Sequence, residues 1–215
     1  MTGASLSGLF LCEGTSDEPL ADIVEYLFAE RDRRLILSRP NLEAFSKIGH
    51  DVESKLIAGS QLMDKPFDLA VVHRDADNAG WRARRDEIEQ AMTGSEVECG
   101  LIPIIPVRMT EAWLLLDEQE IRDVAGNPNG SFNIDLPGIN EVERIADPKA
   151  RLRDCLLQAA NVRGRRRQTV STRFPQHRRQ LLERLDKTGH ISRLPSWRML
   201  IEDVEACIKI FDHLG

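Results

Sequence analysis

The stretch Leu69-Ala70-Val71-Val72 is continuously apolar and runs into His73-Arg74-Asp75-Ala76-Asp77. An unbroken apolar run of this length reads as a strand covered on both faces, the signature of a parallel sheet sandwiched between helices. Its neighbours fit. Ser5 to Cys12, Arg34 to Ser38 and Leu101 to Val107 are further short apolar runs, bounded by Gly or Pro. Between them lie segments of helical period: Leu20, Ile23, Val24, Leu27 and Phe28; Val52, Leu56 and Ile57, ending before Pro66; and the charged stretch from Trp81 to Met92. Thr15 or Asp17 would cap the first helix, with Thr15-x-x-Glu18 spaced as a capping box. Strands alternating with helices predict an α/β fold with a Rossmann-like parallel sheet over residues 1–110.

Beyond Val107 the pattern changes. Glu111 to Val124, Asp147 to Ala160, Pro175 to Leu185 and Ser196 to Leu214 have helical character, separated by a Gly/Asn/Pro-rich loop from Gly126 to Gly138. Residues 111–215 therefore form a mainly helical C-terminal extension, packed on the first domain. The apolar face of the last helix, with Leu200, Val204, Cys207, Ile208 and Phe211, has to be covered.

With 215 residues the chain can bury a core without disulfides or a structural metal. Its four cysteines, Cys12, Cys99, Cys155 and Cys207, form no C-x-x-C pair and are read as reduced, mostly buried thiols. No run approaches the ~20 apolar residues of a membrane span, and the apolar start has no basic flank ahead of it. A cytoplasmic protein without a membrane contact is expected. The net charge of −6 conceals a division: residues 1–148 carry 14 Lys/Arg against 28 Asp/Glu, whereas residues 149–198 carry 14 against 3. An acidic body beside a basic segment suggests a divalent-metal centre next to a polyanion contact.

Ligands of parallel sheets bind beyond the carboxyl ends of the strands, which is where the acidic residues fall. Glu13-Gly14-Thr15-Ser16-Asp17 follows the first strand, and Asp75-Ala76-Asp77-Asn78-Ala79-Gly80 follows a later one. The two motifs in this order resemble the E-G-x-x-D and D-x-D-x-x-G signatures of the Toprim superfamily, over roughly residues 5–107. That superfamily includes topoisomerases, bacterial primases and OLD-type nucleases. The resemblance implies that Glu13, Asp75 and Asp77 hold Mg²⁺ (or Mn²⁺) and act on phosphodiester bonds. Glu13 would serve as general base or acid, with Asp17, Gly14 and Gly80 in support. Carboxylate oxygens are the ligands magnesium prefers, and glycines permit tight turns. The bland readings are an exposed turn residue for Glu13 and turn or cap residues for Asp75, Asp77 and Asp17. The only tyrosine, Tyr26, lies inside the first helix, which argues against a tyrosyl intermediate.

Pro106-Val107 followed by Glu111-Ala112-Trp113-Leu114-Leu115 looks like a segment of small stand-alone Toprim proteins, often encoded beside an ATPase in bacterial phage-defence loci. Leu194-Pro195-Ser196-Trp197 is similar to that subgroup's tail. Glu111 is either a further metal ligand or the holder of a basic residue, and Trp113 reads as core. The arginines Arg163, Arg165, Arg166, Arg167, Arg173 and Arg178 form either a solvated loop or a clamp on a nucleic-acid backbone, DNA ahead of RNA. No P-loop G-x-x-x-x-G-K-[ST] occurs, so ATP hydrolysis would belong to an ATPase partner. The expected activity is that of a metal-dependent nuclease. The rival is a non-catalytic Toprim-like subunit that binds nucleic acid or the ATPase, and either kind of chain could be oligomeric.

Overall fold

The computed structural model describes residues 5–42 and 48–214. It is an α/β structure with a four-stranded, all-parallel sheet and a mainly helical C-terminal region. Two compact units divide the chain. One comprises the residues up to Arg74, Ala79–Ile105 and those from Arg198 on; the other comprises Asp75–Asn78 and Pro106–Trp197.

In the first unit the strands are β1 (Leu6–Leu11), β2 (Leu35–Ser38), β3 (Leu69–His73) and β4 (Gly100–Ile104). The helices α1 (Pro19–Ala29), α2 (Val52–Gln61) and α3 (Trp81–Gly94) connect them. The sheet order is β2-β1-β3-β4. Burial follows position: every residue of central β3 is buried, whereas edge strand β2 alternates and leaves Ile36 exposed. Gly8 sits where β1 passes between its neighbours. A Cβ there would lie 2.8 Å from the Leu69 carbonyl oxygen, so glycine is what permits this pairing. Gly59 plays a similar part in α2, where a Cβ would stand 2.9 Å from the Leu9 side chain. The chain steps from β1 outward to β2, then back across β1 to β3. With right-handed crossovers this reversal puts α1 on one face and α2 and α3 on the other, and makes the carboxyl ends of β1 and β3 the switch point of the sheet.

The helix after β1 starts later than the capping box predicts. Thr15–Asp17 form a 3-10 turn, the N-cap is Glu18, and Pro19 opens α1 with a φ already fixed for a helix. Asp51 caps α2, accepting from the Ser54 amide at 2.8 Å. The sheet unit is completed by α9 (Pro195–Leu214), whose part from Arg198 on belongs to it. Val204, Cys207 and Ile208 are buried, and Arg85 fixes the helix through Asp203 at 2.8 Å.

The second unit contains α4 (Glu111–Leu114), α5 (Glu118–Val124), α6 (Pro148–Ala160), α7 (Gly164–Thr172), α8 (Phe174–Glu183) and the first turn of α9. The single helix expected over Glu111–Val124 is two. Asp117 turns its carboxylate onto the Glu120 amide at 3.0 Å and restarts the helix as an N-cap. Arg165, Arg166 and Arg167, whose plainer reading is a solvated loop, lie in helix α7. Trp113 is core, as expected, fully buried and edge-to-face with Trp197 at a centroid distance of 5.4 Å. Its indole Nε1 donates to Ser196 Oγ at 2.8 Å, and Ser196 donates in turn to Glu143. All four cysteines are free thiols, and burial raises Cys99, Cys155 and Cys207 to about 11. Among the described residues no helix is long and apolar enough to cross a membrane.

The Trp113 cluster should dominate the stability of its unit. Trp113→Ala should lower the unfolding free energy by about 3–5 kcal/mol, and Ser196→Ala by about 1–3 kcal/mol because the buried indole N–H loses its acceptor. Urea denaturation followed by far-UV circular dichroism measures both. A cost for Ser196→Ala indistinguishable from zero would mean that this bond holds nothing.

Candidate functional site

The carboxyl edge of the sheet is marked by Glu13, two residues past β1, and Arg74, directly after β3. Because Leu11 pairs with Val72, Glu13 comes level with Arg74. The Arg74 Nε stands 3.4 Å from Glu13 Oε1, and its Nη2 lies 3.2 Å from Glu87 of α3. Glu87 also holds Arg84 at 2.6 Å. The result is a chain of alternating charge, Glu13, Arg74, Glu87 and Arg84, across the end of the sheet. From α2, Lys55 reaches in and donates to the Cys12 carbonyl at 3.0 Å, one residue before Glu13.

Glu13 and its neighbours line a cavity of about 410 Å³ at the ends of β1 and β2. Phe10, Leu11 and Ile48 supply apolar lining, while Arg39, His50 and Lys55 bring nitrogen donors. Arg39 is itself tied to Asp22 at 2.5 Å and to Glu25 at 3.3 Å. Asp17, the predicted supporting residue, is buried in the 3-10 turn with its amide on the Gly14 carbonyl at 3.0 Å. Gly14 has extended backbone and open space where a Cβ would go, so no tight turn or close approach calls for glycine there. Gly80 does have a reason: it precedes α3 at φ 86°, in the left-handed region.

Asp75 and Asp77 lie in the second unit, on a loop pinned to the residues after β4. Asp75 Oδ1 accepts from both the amide and the hydroxyl of Thr110, at 2.9 and 3.1 Å. The Ala76 amide donates to the Pro106 carbonyl at 3.1 Å and the Asp77 amide to the Arg108 carbonyl at 2.8 Å. Arg108 closes the loop from its other side, donating to Asn78 Oδ1 at 2.6 Å. Asp77 and Arg108 are both left-handed, at φ 47° and 66°. For arginine that conformation is uncommon, and two such residues joined by one hydrogen bond make a locally strained clasp around the aspartates. Sequence reasoning missed Arg74, Lys55, Arg108 and Thr110. Only the strand register could have revealed Arg74, and no residue type announces a left-handed arginine.

Glu111 is buried at the start of α4, with its Oε1 2.9 Å from Arg178 Nε. The pairing with a basic residue is thus present in the structure. Both side chains are almost fully enclosed, 3% and 6% exposed. Arg178 therefore stands apart from the other arginines of the basic segment: Arg163, Arg165, Arg166, Arg167 and Arg173 are all exposed. Three carboxylates of the type carried by Glu13, Asp75 and Asp77 have the hard oxygen donors that suit Mg²⁺ or Mn²⁺. Among the described residues no three His, Cys, Asp or Glu side chains are drawn together as a ready metal cage. No protein-family model, characterised protein or solved structure matches the chain.

Removing one partner of the Glu111–Arg178 pair leaves a buried charge unmatched. Glu111→Leu and Arg178→Leu should each cost about 3–5 kcal/mol whether or not a divalent metal is present, while Glu111→Leu/Arg178→Leu should cost less than either single change. Thermal and urea unfolding of the four proteins checks this. A single variant as stable as wild type would show that the pair does not hold the unit.

Proposed function

We propose that the chain is a metal-dependent phosphodiesterase of the Toprim kind, acting on nucleic acid as a nuclease. One observation carries the reading: Glu13 follows β1, and the Asp75-Ala76-Asp77 motif follows β3, the two strands flanking the switch point of a β2-β1-β3-β4 parallel sheet. The strained clasp of Asp77 and Arg108 adds weight, since costly backbone gathers at functional loops.

In this reading Glu13, Asp75 and Asp77 would hold Mg²⁺ or Mn²⁺, which when bound polarises a phosphate and makes water a better nucleophile. The chain's own residues do the rest. Glu13 accepts the proton of the attacking water. Thr110 fixes the carboxylate of Asp75 through two hydrogen bonds, and Arg108 fixes the loop that carries Asp77. Arg74 and Lys55 supply positive charge where a phosphate would approach Glu13.

A second reading, a non-catalytic subunit that binds nucleic acid or an ATPase partner, is favoured by the Arg74–Glu13 ion pair. That pair gives Glu13 a counter-charge of its own.

Two measurements separate these readings. Mg²⁺ or Mn²⁺ should raise the melting temperature of the wild type, because a ligand of the native state stabilises it, and Asp75→Asn should abolish the rise. With either metal, the protein should cut nucleic acid. Glu13→Gln should keep binding and lose cutting, a fall of roughly 10²-fold or more. Intact nucleic-acid binding with no metal-dependent melting shift and no cleavage would replace the first reading with the second.

A further inference from the structure

Arginine is the cation this fold uses for its internal ion pairs. Arg31, Arg39, Arg74, Arg85, Arg122 and Arg178 each have a carboxylate within 3.4 Å. Helix α7 and its two caps gather five that are not so paired. Arg163, Arg165, Arg166, Arg167 and Arg173 are exposed, and none has a carboxylate partner among the described residues. The sequence makes this unavoidable locally, since no Asp or Glu occurs between Asp154 and Glu183. Like charges one helical turn apart repel and weaken a helix.

The helix is also unusual in having no buried residue. Its half-buried positions, Val170 and Ser171, mark the side nearest α6 and α8. At 100° per residue, Arg165, Arg166, Thr169 and Arg173 fall within an arc of about 100° on the outer side, and they extend over roughly 12 Å of helix axis. Arg167 falls outside this stripe and Arg178 is buried on Glu111.

We infer that this stripe of Arg165 and Arg166 on α7 and Arg173 at its C-cap is a docking surface for the phosphate backbone of double-stranded nucleic acid. Guanidinium forks match phosphate oxygens bidentately. A duplex presents one negative charge per roughly 1.7 Å of axis, so 12 Å of arginine stripe faces several phosphates at once. A membrane surface fits poorly, because an interfacial helix needs an apolar face and α7 offers only Val170, half-buried. A single strand also fits poorly. The aromatic residue beside the stripe, Phe174, is 3% exposed and stacked under Arg153 at 4.7 Å, leaving no platform for bases. The inference deepens the nucleic-acid reading above by naming what is held, yet it stands on α7 alone and requires no metal. It can fail, or hold, independently of the acidic residues.

The test is a salt titration of binding by the full chain in EDTA. The probes are a duplex DNA, a duplex RNA of equal length, the corresponding single strand, and phosphatidylserine-rich vesicles. The variant Arg165→Ala/Arg166→Ala/Arg173→Ala should weaken duplex binding equally for unrelated sequences. It should also flatten log affinity against log salt by roughly 2–3, at about 0.9 per lost phosphate contact. The preferred duplex then identifies DNA or RNA as the source of the backbone. Arg82→Ala/Arg193→Ala, which removes two exposed arginines elsewhere, should leave the slope unchanged. Circular dichroism and melting temperature verify folding, and the corresponding triple Gln variant, which keeps side-chain length, should reproduce the loss. Equal slopes for wild type and both triple variants would overturn the inference. So would tighter binding to the single strand, or binding to the vesicles that exceeds duplex binding and is lost in the triple variants.

Discussion

The parallel pairing of β1 with β3 is the constraint from which the candidate site follows. It brings the ends of two strands that are distant in sequence to one edge, and its register sets Glu13 level with Arg74. The pairing exists only because Gly8 leaves room for the Leu69 carbonyl and because Leu69–His73 is buried throughout. A one-residue slip would turn every side chain of β3 to the opposite face, and the residues that follow the strand would be re-aimed with it. The chemistry at the edge is thus tied to packing inside the sheet, and a core substitution in β1 or β3 acts on both.

A different economy governs the helical unit. Two of its buried polar matches link distant segments: Glu111 with Arg178, and Trp113 with Ser196, which in turn uses Glu143. Each match joins segments far apart in sequence, so the cost of leaving any member unpaired enforces one arrangement of α4, α8 and the start of α9. Such pairs add little to stability over an apolar alternative. What they supply is discrimination, because a misdocked helix would strand a charge in the core.

Much of this was legible beforehand for a simple reason. Strands β1, β3 and β4 are short apolar runs with turn residues at their ends, and periodicity alone reveals such elements. The edge strand and the first two helices of the sheet unit follow from the same rule, while the burial of Trp113 follows from the tendency of a large aromatic side chain to leave water. What could not be read depended on partners chosen by the fold. Thr15-x-x-Glu18 has the letters of a capping box, but Pro19 fixes the helix start after it. Glu111 leaves two readings open, and the partner it meets, Arg178, lies 67 residues away in the sequence. The arginine run conceals a helix because its composition has no apolar period to betray one. At the site, the acidic motifs were visible as letters, whereas Arg74, Thr110 and the left-handed Arg108 become visible only through register and backbone geometry.

The distribution of positive charge carries the last step. In a chain whose first 148 residues hold 28 carboxylates against 14 cations, an arginine finds a carboxylate easily, as Arg31, Arg39, Arg74 and Arg85 of the sheet unit do. Leaving a run of guanidiniums unmatched therefore requires that the sequence around them be cleared of acid, as it is from Asp154 to Glu183. Stability gives no reason for that clearance, because a Glu one turn from Arg165 or Arg166 would relieve repulsion and support the helix. A carboxylate there would, however, repel any phosphate brought to the stripe. The same absence that weakens α7 on its own is what an anionic partner would need, and nowhere else does the sequence set so many arginines together without a carboxylate among them.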